Sequence, residues 1–351
     1  MKTQNSSKNK FTGFLFLTGF FTPIYAGALE NPKTAILADL NMLEELHVPV
    51  LKKSKDLNLA YAEISESQQR VLEYKAHSFR KCGGYENLGT VTPNSINSYD
   101  SNNSYTPFSI ENFFETIQAQ NYKNSLYATL PYRAITLDPQ PSIQNGISEL
   151  NEQNLLNNVQ WLSAFPDRYN RSTDPNRHVV ELKKQLELML SPTNLKYDIS
   201  LIVHQSTNQK TIRVQIPGTL RPDEIVVLGG HLDSINQWRS GKAPGADDNA
   251  SGSSNLIEAL RVLSHYPQPE RTVEFFWYAG EESGLLGSAE IAREYKNQNK
   301  NVIAVLQLDM TLFPGAGEFA IGNVEDYTSS WLRSYLVEIN TTYKLGARFI
   351  A

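Results

Sequence analysis

Three apolar, strand-like runs between residues 225 and 309 each end in residues that bind metals or move protons. Residues 225–230 lead into His231, Leu232, Asp233 and Ser234; residues 273–280 lead into Glu281 and Glu282; residues 302–308 lead into Asp309. Helical patterns separate them. Leu256, Ile257, Leu260 and Leu263 recur at helical spacing after the first run, and LLGSAEIAREY follows the second. Upstream, YDISLIVHQ and TIRVQI read as paired strands, preceded by helices marked by Leu155, Val159 and Leu162 and by Val179, Leu182 and Leu186. This alternation predicts an α/β domain with a mixed, largely parallel central sheet flanked by helices. Ligands of open α/β sheets bind outside the carboxyl ends of the strands, so such a fold delivers these acids and this imidazole to one rim.

Asp247 and Asp248, in the loop GADDNASG, add to the same rim. Taken singly, each of these residues also suits a helix cap or a strand end. Taken together they make a crowd of carboxylates, which repel one another and resist desolvation unless a cation neutralises them. Imidazole with carboxylate oxygens is a zinc-binding set. Asp233, two residues beyond His231, is placed to orient the imidazole. Adjacent Glu281 and Glu282 can divide the work, one holding metal and one moving protons.

The rest of the chain sets the context. The 351 residues carry a net charge of −5 without a basic block, which argues against nucleic-acid binding. A single cysteine, Cys82, excludes a disulfide framework and a cysteine-based zinc site and has no local partner that would make it reactive. Lys2, Lys8 and Lys10 precede an apolar stretch broken by Pro23 and closed by Ala26-Gly27-Ala28. That pattern predicts a signal peptide over 1–28, export to the periplasm or medium, and no membrane span in the processed protein. Residues 29–90 read as a small helical or mixed unit. Residues 91–146 are rich in Asn, Ser, Tyr and Pro and read as a linker, and 147–351 form the α/β domain.

GGHLDS, PGADDNASG, YAGEESGLLGS and LQLDMT together resemble the successive signatures of the M28 family of zinc aminopeptidases, in particular secreted bacterial leucyl aminopeptidases. The resemblance implies a monomeric enzyme acting on peptide N-termini, with 29–90 as its pro-segment. It implies two zinc ions, with His231, Asp248, Glu282 and Asp309 as ligands and Asp248 bridging through a strained peptide linkage. Asp233 would orient His231, Glu281 would be the general base, and Met310 would line the pocket for the N-terminal side chain. The same fold also serves glutaminyl cyclase-like acyltransferases with one zinc.

One feature departs from that pattern. The family's second zinc takes a further histidine from a downstream Ser-Asp-His-like loop, whereas no histidine follows His265 here. The resemblance therefore implies a C-terminally truncated member, in which His231, Asp248 and Asp309 form a complete trio. Glu282 and Asp248 would lack their imidazole, and either lowered activity or an inactive remnant is expected.

Overall fold

The computed structural model describes residues 32–76, 84–91, 137–236, 241–312, 320–322 and 328–350. The leader and Cys82 lie outside them, as does most of the expected linker. From Pro32 onward the chain forms one compact unit.

The N-terminal part is built on four antiparallel strands: β1 (Lys33–Asp39), β2 (Val50–Ser54), β3 (Leu59–Ile64) and β4 (Tyr85–Val91), in the order β2-β3-β1-β4. Helix α1 (Leu40–Glu45) begins where the Asp39 carboxylate accepts the Met42 N–H. Helix α2 (Glu66–Lys75) begins at a capping box, in which Ser65 accepts from Gln68 N–H while the Gln68 side chain accepts from Ser65 N–H. Alternate strand residues Ile36, Ala38, Ala60, Ala62 and Ile64 pack with Leu72 into a small core of their own. Residues 29–90, expected to be helical or mixed, are mixed. Strand β1 precedes α1 because Ile36 and Ala38 share a face that this core buries.

Helices α3 (Pro141–Ser148), α4 (Glu152–Ser163) and α5 (Arg177–Leu190) lead into the larger sheet. Its strands are β5 (Asp198–Ile202), β6 (Thr211–Ile216), β7 (Arg221–His231), β8 (Arg271–Tyr278) and β9 (Asn301–Gln307). They lie in the order β5-β6-β8-β7-β9. The β5–β6 and β6–β8 pairs are antiparallel; β8–β7 and β7–β9 are parallel. The sheet is thus mixed, and the parallel part is the part that matters here: β7, β8 and β9 point their carboxyl ends the same way.

Strand β8 is central and buried on both faces, which explains its unbroken apolar run. Phe275 and Trp277 face the cluster formed with Leu162, Leu182, Leu186, Leu256 and Leu260. Phe276 and Tyr278 face the opposite side, against Ile225, Val227 and Ile291. Helices α6 (Gly252–Leu263) and α7 (Leu286–Asn297) connect the parallel strands. The chain then continues through short strands β10 (Ala320–Gly322) and β11 (Arg348–Ile350), which pair in parallel, with helix α8 (Ser330–Thr342) between them. The two cores meet near the rim, where Asn87 N–H donates to the carbonyl of Gly284 at 3.1 Å and Arg293 pairs with Glu86 at 3.3 Å.

His178, at the start of α5, is fully buried beside Phe165 and touches the Gln209 amide at 3.0 Å. Burial, reinforced by nearby Arg168, lowers its pKa to about 3. The unfolded chain takes up this proton near pH 6.5 and the folded chain only near pH 3, so acidification through that window favours unfolding. Compared with His178→Gln, which cannot titrate, the wild-type chain should lose on the order of 3 kcal/mol more stability between pH 7 and pH 4. Urea titrations at the two pH values measure this, and parallel losses would refute it.

Candidate metal centre

Strand β7 runs without interruption into His231, whose ring is fully buried. Its Nδ1 lies 3.1 Å from the carbonyl oxygen of Asp233. A carbonyl can only accept, so Nδ1 carries the proton of that bond and Nε2 faces the rim. The Asp233 carboxylate, expected from sequence to orient the ring, also stands near Nδ1. It lies farther from Nδ1, at 3.5 Å, because its oxygens are engaged by the backbone N–H groups of Glu281 at 3.0 Å and Glu282 at 3.3 Å. Asp233 therefore ties the exit of β7 to the exit of β8, and shares the imidazole between its carbonyl and its carboxylate.

Around Nε2 three carboxylates converge from three elements. Asp248 Oδ1 is 2.9 Å away, Asp309 Oδ1 3.3 Å and Glu281 Oε2 3.9 Å. Asp248 comes from the irregular turn Ala246–Ser251, whose Asp248–Asn249 peptide is cis. Asp309 follows β9, and Glu281 opens the short turn Glu281–Ser283 after β8. Asn249 locks the first two together: its amide donates to the carbonyl of Leu308 at 2.9 Å and its side-chain oxygen accepts from Gly252 N–H at 2.8 Å. Gly252 must be glycine, since a Cβ there would sit 2.4 Å from the Leu308 carbonyl oxygen. Asp247 accepts from Leu312 N–H at 2.8 Å and is not among the three grouped ligand residues.

His231, Asp248 and Asp309 each offer a ligand atom, all within 4.8 Å of one another. His231 Nε2, Glu281 Oε2 and Asp309 Oδ1 are buried atoms without a hydrogen-bond partner. Ligands about 2.0–2.2 Å from a tetrahedral zinc stand roughly 3.2–3.6 Å from each other. The His231–Asp248 and His231–Asp309 separations are close to that range, so the residues present fit a divalent cation. Glu282 is buried beside Asp233 but does not belong to this converging set. Met310 follows Asp309 and is 43% exposed.

The electrostatics express the same crowding. Burial pushes the Glu281 carboxyl well above the ordinary range, and Asp309, Glu282 and Asp233 add to the rise against the opposing pull of His231. Burial alone would lower the His231 imidazole, yet Glu281, Asp309, Asp233 and Asp248 raise it well above its ordinary value. The other described histidines are occupied elsewhere. His178 meets Gln209, His204 bridges Thr211 and Glu290, His47 contacts the Glu44 carbonyl and His265 pairs with Glu149 at the far end of α6.

Comparison with known proteins gives this geometry its context. Residues 211–348 match the sequence profile of peptidase family M28. Over those residues the chain is similar to that family. It is 35% identical over 209 residues to leucine aminopeptidase 1 of Paracoccidioides brasiliensis strain Pb03, covering 56% of this chain and 53% of that protein. It is 36% identical over 211 residues to leucine aminopeptidase 1 of Trichophyton equinum, covering 56% of each. The chain thus spans just over half the length of the curated relatives it matches. Its fold resembles that of the LapA aminopeptidase of Legionella pneumophila, with a TM-score of 0.69 at 20% identity over 91% of this chain and 80% of that one. LapB from the same organism gives a TM-score of 0.67 at 21% identity, over 91% and 81% of the two chains. The likeness in fold reaches well beyond residues 211–348.

Sequence reading missed how two neighbours serve the centre. Arg168 and Gln209 are both fully buried against the rim, yet each bonds to backbone atoms distant in sequence, and no spacing signals that. A zinc titration of the metal-free chain tests the cluster. Hundredfold excess over the dissociation constant should raise the melting temperature by about 5–10 °C. A chelator should reverse the shift, and His231→Ala should abolish it. A shift that survives His231→Ala would place the metal elsewhere.

Proposed function

We propose that this chain is a zinc-dependent aminopeptidase that removes N-terminal residues from peptides, with Glu281 as its proton carrier. The observation that carries the reading is the convergence of Asp248, Asp309 and Glu281 on a single buried imidazole nitrogen within 3.9 Å. Zinc held by His231, Asp248 and Asp309 would supply Lewis acidity and bring the pKa of a water to about 7. Glu282 and Asp248 are the ligands proposed for a second ion.

The residues of the chain then have distinct tasks. Glu281 sits beside the ligands without belonging to the trio, which leaves a carboxylate oxygen to take the proton of the attacking water. Its raised affinity for protons suits a base that must later return one to the departing amine. Asp233 holds the Glu281 backbone and so fixes where that carboxylate starts. The carboxylates at the rim favour a substrate with a free, positively charged α-amino group. Met310, half-exposed beside Asp309, is proposed to receive the N-terminal side chain. The basic and apolar leader over 1–28 supports export, and no described helix is long and apolar enough to cross a membrane.

Hydrolysis of leucyl p-nitroanilide by the zinc-loaded chain is the direct assay, with cyclisation of N-terminal glutamine as the competing reaction. Leucine release should dominate. Glu281→Gln should lower kcat by about 10²–10⁴-fold while zinc still raises the melting temperature. Full turnover by Glu281→Gln would remove the base from the account, and cyclisation without leucine release would replace the reaction.

A further inference from the structure

Arg168 lies in the bend after α4 and is fully buried. A buried guanidinium ordinarily pairs with an acid. This one spends its four hydrogen bonds on backbone carbonyls instead. Nε donates to Leu232 at 2.9 Å, between His231 and Asp233. One terminal nitrogen donates to Leu162 at 3.0 Å and Pro244 at 2.6 Å; the other donates to Gly245 at 3.0 Å. Leu162 anchors the group to α4, Leu232 belongs to the exit of β7, and Pro244 and Gly245 begin the loop that carries Asp247 and Asp248. The third site element is reached from the backbone of the same residue. Gln209 donates to the Arg168 carbonyl at 3.1 Å while its oxygen accepts from Gly280 N–H at 2.9 Å, immediately before Glu281.

We propose that Arg168 is the positioning residue of the metal centre: its planar fork clamps the Asp248 loop to the His231 strand exit and so sets the separation of two ligands from different elements. The proposal rests on the metal-binding reading of His231, Asp248 and Asp309. Arginine is suited to the place because its donors diverge in one plane toward three separate segments, which a lysine ammonium cannot span. Its charge is also matched to its surroundings. Burial lowers its pKa to about 10, against the fields of Asp233, Asp248, Glu282 and Asp167, so it stays cationic behind a rim of acids. The loop is fitted to it closely: a Cβ on Gly245, which adopts φ +47°, would lie 2.9 Å from the guanidinium and 2.3 Å from the Asp248 carbonyl oxygen.

Cobalt(II) is the probe, because its visible absorption reports ligand geometry independently of activity. Wild type and Arg168→Lys are titrated with Co²⁺, with the metal-free melting temperature and circular dichroism of each recorded. The clamp predicts that Arg168→Lys, which keeps the charge and loses the fork, binds Co²⁺ about 10–100-fold more weakly with an altered absorption band. A role in folding alone would lower the metal-free melting temperature and leave the affinity and the band of the folded protein unchanged, and that result would overturn the proposal. If Arg168→Lys does not fold, Arg168→Gln, which keeps a planar donor and loses the fork, decides: weaker binding with a shifted band supports the clamp, and wild-type binding overturns it. Failure of the wild-type chain itself to bind Co²⁺ would refute the metal-binding reading instead.

Discussion

Mutual repulsion among buried and half-buried carboxylates is the constraint on which this structure turns. Asp248, Asp309 and Glu281 stand within 3.9 Å of one imidazole nitrogen, with Asp233 directly behind. No packing of apolar residues would gather these groups, because each loses hydration and repels the next. The fold therefore holds them against their own preference, using parallel strands to bring three chain exits to one rim and hydrogen bonds to lock the exits together. The Asp233 carboxylate joins β7 to β8, Asn249 joins the Asp248 loop to β9, and Arg168 joins that loop back to β7. A divalent cation would turn the repulsion into attraction.

The legible part of this design was the part that repeats along the chain. Strand-like runs ending in His231, Glu281 and Asp309 announced a shared rim, because chain direction in a parallel sheet carries strand ends to the same side. The core residues of α4, α5 and α6 were equally readable, since burial on a helix leaves an i, i+3, i+4 trace. What the sequence did not disclose depends on partners far apart in number. The strand order, with the β5–β6 hairpin joining β8 in antiparallel fashion, follows from packing on both faces of Phe275–Tyr278 rather than from any local pattern. The backbone carbonyl of Asp233 as partner of His231 is invisible because a carbonyl belongs to every residue. Arg168 looked like any arginine in a turn.

The N-terminal unit acquires a different aspect from the structure. In sequence it read as a helical or mixed segment ahead of the catalytic domain. It folds as its own four-stranded sheet with its own core, yet Asn87 holds the carbonyl of Gly284, in the turn that follows Glu281 and Glu282. Glu86 pairs with Arg293 on α7, the helix that begins just beyond that turn.

The claim that everything else depends on is that His231, Asp248 and Asp309 hold a metal ion together. X-ray absorption at the zinc edge, recorded on the zinc-loaded chain, reads the donor atoms directly. The account predicts a light-atom shell at about 2.0–2.1 Å with the outer scattering of a single imidazole, lost in His231→Ala. A spectrum showing sulfur donors, or an imidazole signal that persists after His231→Ala, would contradict it.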